Sequence, residues 1–133
     1  MENKLSRFKA REQGFMLVFE KLFNDEPVEE LISNAEESRE LVVDDYAIEL
    51  VNGVDREKET LDELIEAHLK KGWKLRRISK PSLAILRLAL YEIKYVDNVP
   101  DSVAVNEAVE LAKKYTVDES GFINGVLGAI LRE

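Results

Sequence analysis

The sequence predicts an all-α fold: six or seven helices forming two small bundles that share one central apolar helix. Apolar residues recur at helical spacing along the chain, and no stretch alternates cleanly enough for a strand. Proline stands only at 27, 81 and 100, where this reading places helix boundaries. The segment LAILRLALYEIKYV is apolar at nearly every position from Leu83 to Tyr91, the mark of a helix surrounded on all sides.

The elements follow in order. A first helix runs from about Ser6 to Phe23, with Phe8, Phe15, Phe19, Leu22 and Phe23 on one core-facing arc. Pro27 starts a short amphipathic helix through Leu31, Ile32 and Ala35. Asp44 caps a long helix carrying Tyr46, Leu50, Val54, Leu61 and Leu69, and a turn follows around Gly72. A short helical piece near Trp73–Ile78 leads to Ser79 and Pro81, which open the central helix. Asp101 or Ser102 caps VAVNEAVELAKKY, and Asp118 caps ESGFINGVLGAILRE. The reading is one domain over 1–133, with sub-bundles of about 1–72 and 73–133.

Asn-Gly-Val occurs twice, at Asn52–Val54 and Asn124–Val126, each time on a helical pattern. Each glycine reads as a place where another helix or a ligand approaches the backbone. Gly121, Gly125 and Ala129 recur every four residues and line up a groove of small residues, for which close helix packing is the leading account.

At 133 residues the chain can bury a core without staples, and with no cysteine it has neither disulfides nor thiolate chemistry. No apolar run of about 18 residues is present, and Glu12, Gln13 and Glu20 interrupt any secretory signal, so a cytoplasmic domain is expected. His68 stands alone in the polar tail of the long helix, short of the three or four ligands a zinc site needs. The carboxylates form acidic faces without a calcium-loop pattern, and no nucleophile, nucleotide-phosphate or dinucleotide motif appears. Nothing calls for catalysis, a metal or a cofactor.

The net charge of −8 is segregated. Residues 1–24 balance at +2 and residues 25–66 at −13, whereas residues 67–80 hold six cations and no acid. Local patches of this kind attract polyanions even on an acidic protein, because salt screens charges beyond about 8–10 Å. Lys4, with Arg7 and Arg11 of SRFKARE, falls along one edge of the first helix, at an N-terminus where acids would be preferred. A phosphate grip and a solvated flank both fit that spacing. Arg87 interrupts the central helix and requires a carboxylate, with Glu12 or Glu107 the expected partner. Phe122 opens the last helix behind Asp118, Ser120 and Gly121, as a core side chain or as a stacking surface for a base.

The run ILRLALYEIKYVDNVPDSVAVNEAVELAKKY, followed by FINGVLGAI, closely resembles the NusB family of bacterial transcription antitermination factors. SRFKARE is similar to that family's arginine-rich N-terminus. The resemblance is dense from Trp73 to Leu131, clear over 6–23 and weak through the acidic middle. It implies an all-helical, non-catalytic protein that binds boxA RNA of ribosomal RNA operons together with NusE, a small-subunit ribosomal protein. There it would join the RNA polymerase antitermination complex. Arg7, Lys9 and Arg11 match basic positions of the family motif, with Phe8 where some relatives have arginine. Phe122 and Asp118 match positions at the RNA-facing edge. The resemblance also brings Phe122 near the Arg7–Arg11 edge. Arg76, Arg77 and Ser82 fall on the face expected to meet NusE, with serine at 82 where many relatives carry an acid. The competing reading is a protein scaffold whose acidic middle docks a basic ribosomal protein without RNA. A related domain occurs fused to an RNA cytosine methyltransferase, for which 133 residues leave no room. The oligomeric state is open, and a homodimer is allowed.

Overall fold

The structure is a computed structural model that describes residues 5–39 and 42–133. Among these residues there are six α-helices and no strands: α1 (Arg7–Lys21), α2 (Val28–Arg39), α3 (Asp45–Ala67), α4 (Lys80–Tyr95), α5 (Asp101–Tyr115) and α6 (Ser120–Leu131). A single 3-10 turn, Leu75–Arg77, lies between α3 and α4.

The helix starts divide into two kinds. Ser6, Asp44 and Ser79 cap α1, α3 and α4, their side-chain oxygens accepting from the N–H groups of Lys9, Tyr46 and Ser82. The expected caps of the last two helices are corrected. Pro100 occupies the cap of α5 without a side-chain bond, which leaves Asp101 in the first turn as a dipole partner. Glu119 occupies the cap position of α6, and Asp118 sits one residue earlier at φ 58, a left-handed conformation that Asp tolerates better than most residues. Gly72 takes φ +89 in the turn after α3, as its position predicts.

α4 is central. Every residue from Ser82 to Glu92 is buried, and the helix packs against α1, α3, α5 and α6. One continuous core runs from Phe15 and Val18 through Leu50, Leu61 and Ile65 to Leu86, Leu90, Leu111, Ile123 and Leu127. Of the phenylalanine arc on α1, Phe15 is in that core and Phe19 and Leu22 pack on its margin. Phe8 and Phe23, at the ends of the arc, are exposed.

The two Asn-Gly-Val repeats have different environments. At Gly53 a methyl group would stand 2.1 Å from the Tyr91 ring, so α3 and α4 touch there only because no side chain intervenes. Around Gly121 and Gly125 nothing lies within 4 Å of such a methyl. No helix packs on them, and the close-packing account of that stripe is corrected.

The charged residue in the central helix is paired as expected, but with another partner. Arg87 Nε and Nη2 each donate to one oxygen of Asp62 at 2.7 Å, a two-pronged bridge to α3. Glu12 instead accepts from Lys114 and from the Tyr115 hydroxyl, and Glu107 is engaged by Arg11.

Candidate nucleic-acid interface

The basic positions of the N-terminal segment separate by depth. Lys4 lies outside the described residues. Arg7 is exposed, its guanidinium carbon 3.8 Å above the Tyr46 ring, which holds the cation at the start of α3. Lys9 is exposed, with its Nζ 3.8 Å from Glu12.

Arg11 is 3% exposed. Its Nε lies 2.9 Å from both oxygens of Glu92, and its Nη1 donates to Glu107 at 3.1 Å. Glu92 is fully buried and also accepts from the Tyr46 hydroxyl. The expectation of Arg11 as an accessible phosphate grip is therefore corrected: it clamps α1 to α4 and α5. Helical spacing put Arg11 beside the packed face, and the carboxylates of Glu92 and Glu107 draw the side chain inward. Burial works to lower its pKa, but the attraction and hydrogen bond of Glu92 outweigh it, and the guanidinium stays charged. Burial and the Glu92 hydrogen bond both drive the Tyr46 phenol well above its ordinary range. Tyr46 thus carries Arg7 on its ring face and bonds Glu92 with its hydroxyl, joining the exposed cation to the buried pair.

Phe122 lies elsewhere. It lines a groove of about 540 Å³ with His68, Leu69, Lys70, Trp73, Gly121, Gly125, Val126 and Ala129. Tyr46 and His68 mark the two ends of α3, and at 1.5 Å per residue they stand about 33 Å apart. Phe122 is therefore not beside the Arg7 edge, and that expectation is corrected. It packs instead on Trp73, ring centroids 6.0 Å apart at 33°, and Trp73 is 44% exposed. His68 is mostly buried rather than exposed. Its Nδ1 lies 2.9 Å from the Leu64 carbonyl, and its buried Nε2 makes no hydrogen bond although Glu133 Oε2 is 3.2 Å away. Asp118 is exposed on the loop before α6.

Lys70 lines this groove and the Glu133 carboxylate stands beside its His68, whereas Lys74, Arg76 and Lys80 line a separate cleft. Lys70, Lys71, Lys74, Arg76, Arg77 and Lys80 are all exposed, and none forms an ion pair among the described residues. The lone tryptophan within this lysine-rich turn was the sequence signal for the aromatic surface, and position alone did not single it out.

Ser82 is fully buried, and its hydroxyl, like that of Ser79, donates to Glu119. The expectation that Ser82 faces a partner is corrected, because the carboxylate at the start of α4 arrives from the residue before α6. No group of three or more His, Asp or Glu side chains among the described residues is placed to hold a metal ion. No described helix is long and apolar enough to cross a membrane.

Comparison with known proteins agrees with this architecture. The model of the NusB family matches residues 8–132. A transcription antitermination protein NusB of Clostridium novyi (strain NT) is 43% identical, covering 96% of this chain and 99% of its own length. The NusB of Acetivibrio thermocellus is 45% identical over 96% of this chain and 90% of its own. Among solved structures, T. maritima NusB superposes with a TM-score of 0.83 at 32% identity, covering 98% of this chain and 93% of that one. A chain from a crystal structure of antitermination factors NusB and NusE in complex with dsRNA superposes at 0.81 and 28% identity, covering 96% and 98%.

Proposed function

This chain belongs to the NusB family, and from that premise we propose that it is a non-catalytic RNA adaptor of transcription antitermination. It binds boxA RNA together with NusE, and the pair acts on RNA polymerase in the cytoplasm. The observation that carries this reading is the pattern of surface charge. On a chain of net charge −8, six exposed cations cluster in the turn before α4 without an ion pair among the described residues, and Arg7 and Lys9 add two exposed cations at the start of α1. A cluster that forms no internal ion pairs is available to phosphate. The relative solved with NusE and RNA supports the same pair of partners.

In this reading the exposed Arg7 and Lys9 supply the N-terminal phosphate contact, and Arg76 and Arg77, also exposed, meet NusE. A gel shift with a boxA-like RNA, with and without NusE, tests the reading. The expected result is a complex tightened by NusE, whose association constant falls as salt rises, by about 0.7 log units per log unit of salt for each single-strand phosphate contact. NusE binding with no RNA binding at low salt would favour the scaffold instead.

A further inference from the structure

We infer that Tyr46 is a positioning residue for the N-terminal phosphate contact: its ring holds the Arg7 guanidinium clear of neighbouring carboxylates and leaves its N–H donors to RNA phosphate. This rests on the RNA-binding reading and names a residue outside the basic motif that makes one of its cations usable. Three observations carry it. The first is a conflict of charge. Arg7 borders a cleft of about 350 Å³ together with Asp44, Asp45 and Glu49. Asp44 is engaged by the N–H groups of Leu5 and Tyr46, so the competition for Arg7 comes from Asp45 and Glu49, both exposed. A flexible guanidinium in such company ordinarily closes an ion pair, and its donors are then occupied. Arg7 closes none among the described residues.

The second is the contact that competes. The Arg7 guanidinium carbon stands 3.8 Å from the centre of the Tyr46 ring. The ring face attracts the cation, while the five N–H donors lie in the plane of the guanidinium and stay available to a second partner. Stacking therefore holds the charge without consuming a donor, which an ion pair with Asp45 or Glu49 would do. The hold is needed at Arg7, the first residue of α1, because the helix dipole disfavours a cation there. The third observation is that the ring is fixed. The Tyr46 hydroxyl donates to Glu92, which is fully buried and held in turn by Arg11. At the other end, the Tyr46 N–H donates to Asp44 at 2.8 Å. Backbone and hydroxyl are both anchored, so the ring cannot follow Arg7 toward the acids. The platform is in place before RNA arrives.

A double-mutant cycle on the full-length protein tests this role. A fluorescein-labelled, boxA-like single-stranded RNA is titrated, and anisotropy gives its affinity over a range of salt. Arg7→Ala should weaken binding and lower the salt slope by about 0.7. Tyr46→Leu should weaken binding roughly 2- to 5-fold, the equivalent of one exposed cation–π contact. Combined with Arg7→Ala it should have no further effect. Tyr46→Phe, which keeps the ring, should recover the affinity lost in Tyr46→Leu. Asp45→Ala/Glu49→Ala should raise affinity more in Tyr46→Leu than in the parent protein, because only there is Arg7 released to those acids. Urea unfolding of every variant separates positioning from folding, since Tyr46→Phe and Tyr46→Leu both lose the bond to Glu92 and should both lower the midpoint. RNA affinities that track those midpoints, with Tyr46→Phe as weak as Tyr46→Leu, overturn the positioning role while the adaptor reading stands. It also falls if the effects of Tyr46→Leu and Arg7→Ala simply multiply, or if removing the acids gives equal gains in both backgrounds. No binding of the RNA by the parent protein removes both proposals.

Discussion

Arg11→Ala removes the cation that neutralises Glu92 in the interior. Glu92 is fully buried, and two of its polar contacts are with Arg11 Nε, at 2.9 Å each. The Tyr46 hydroxyl remains as a donor, but it carries no charge. Breaking a buried pair from one side costs about 3–5 kcal/mol, because the surviving charge stays desolvated. Loss of the Glu107 contact adds little, since Glu107 is partly exposed and regains water. The expected cost is therefore about 3–5 kcal/mol, read as a shift in urea midpoint at constant slope. Arg11→Met/Glu92→Leu should recover much of that loss, because an apolar pair has no charge to desolvate. In the RNA titration Arg11→Ala, kept at a temperature where it is folded, should leave the salt slope unchanged, whereas Lys9→Ala should lower it by about 0.7. A stability loss below about 1 kcal/mol together with a flattened salt slope would refute the interior role. It would return Arg11 to the phosphate contacts.

Four further outcomes follow from the same geometry. Gly53→Ala should destabilise by at least about 1–3 kcal/mol, because the methyl meets the Tyr91 ring, whereas Gly125→Ala should stabilise by about 0.5–1 kcal/mol on an open helix face; thermal melts of the pair check the opposite signs. Asp62→Ala should cost about 3–5 kcal/mol in urea unfolding by stranding Arg87, and Glu107→Ala far less, since Asp62 rather than Glu107 is its partner. Ser82→Asp should lower stability by about 3 kcal/mol by setting a second carboxylate against Glu119, and calorimetry with NusE should show no tighter binding. Glu12 has its pKa lowered: burial opposes this, but hydrogen bonds from Lys114 and Tyr115 prevail. Its contribution is therefore complete above about pH 4.3 and lost as pH falls through the lower folded value, so urea midpoints of the protein and Glu12→Gln should converge only in acid.

The fold was legible where one property decided the outcome. Continuous apolarity from Leu83 to Tyr91 can be satisfied only by a helix with neighbours on every side, and burial from Ser82 to Glu92 follows. Ser79 and Asp44 act as caps because each must satisfy only the first turn of its own helix. Asp118 failed as a cap for a tertiary reason. The Thr116 hydroxyl accepts the Glu119 N–H at 3.3 Å, and Glu119 reaches the two serines at the start of α4, so α6 begins one residue later than the local pattern suggests. Long-range partners were the less legible part. That Arg87 needed a carboxylate was plain from its helix, but the choice between Asp62 and Glu107 depends on which face of α4 meets α3. Periodicity ranks faces by polarity and carries no record of which neighbour covers them.

The same limit explains why the candidate interface had to be redistributed. Along the sequence, Arg7, Lys9 and Arg11 are alike, three cations within one helical turn and a half. In the fold, one lies over an aromatic ring, one projects into solvent and one is consumed by the interior. Counting basic residues therefore overstates the phosphate-binding capacity of α1. It does not overstate that of the turn before α4, where all six cations are exposed and none forms an ion pair among the described residues. A carboxylate shows the same exchange between positions. The resemblance leads one to expect an acid at position 82, and the serine there looked like a lost charge. Yet Glu119 delivers a carboxylate to the Ser79 and Ser82 hydroxyls at the N-terminus of α4, where the helix dipole favours it. The charge is thus kept in place by a residue 37 positions away in the chain. A site defined by charge in space can survive the loss of the side chain that marks it in sequence, and Glu119 is the residue on which that conclusion depends.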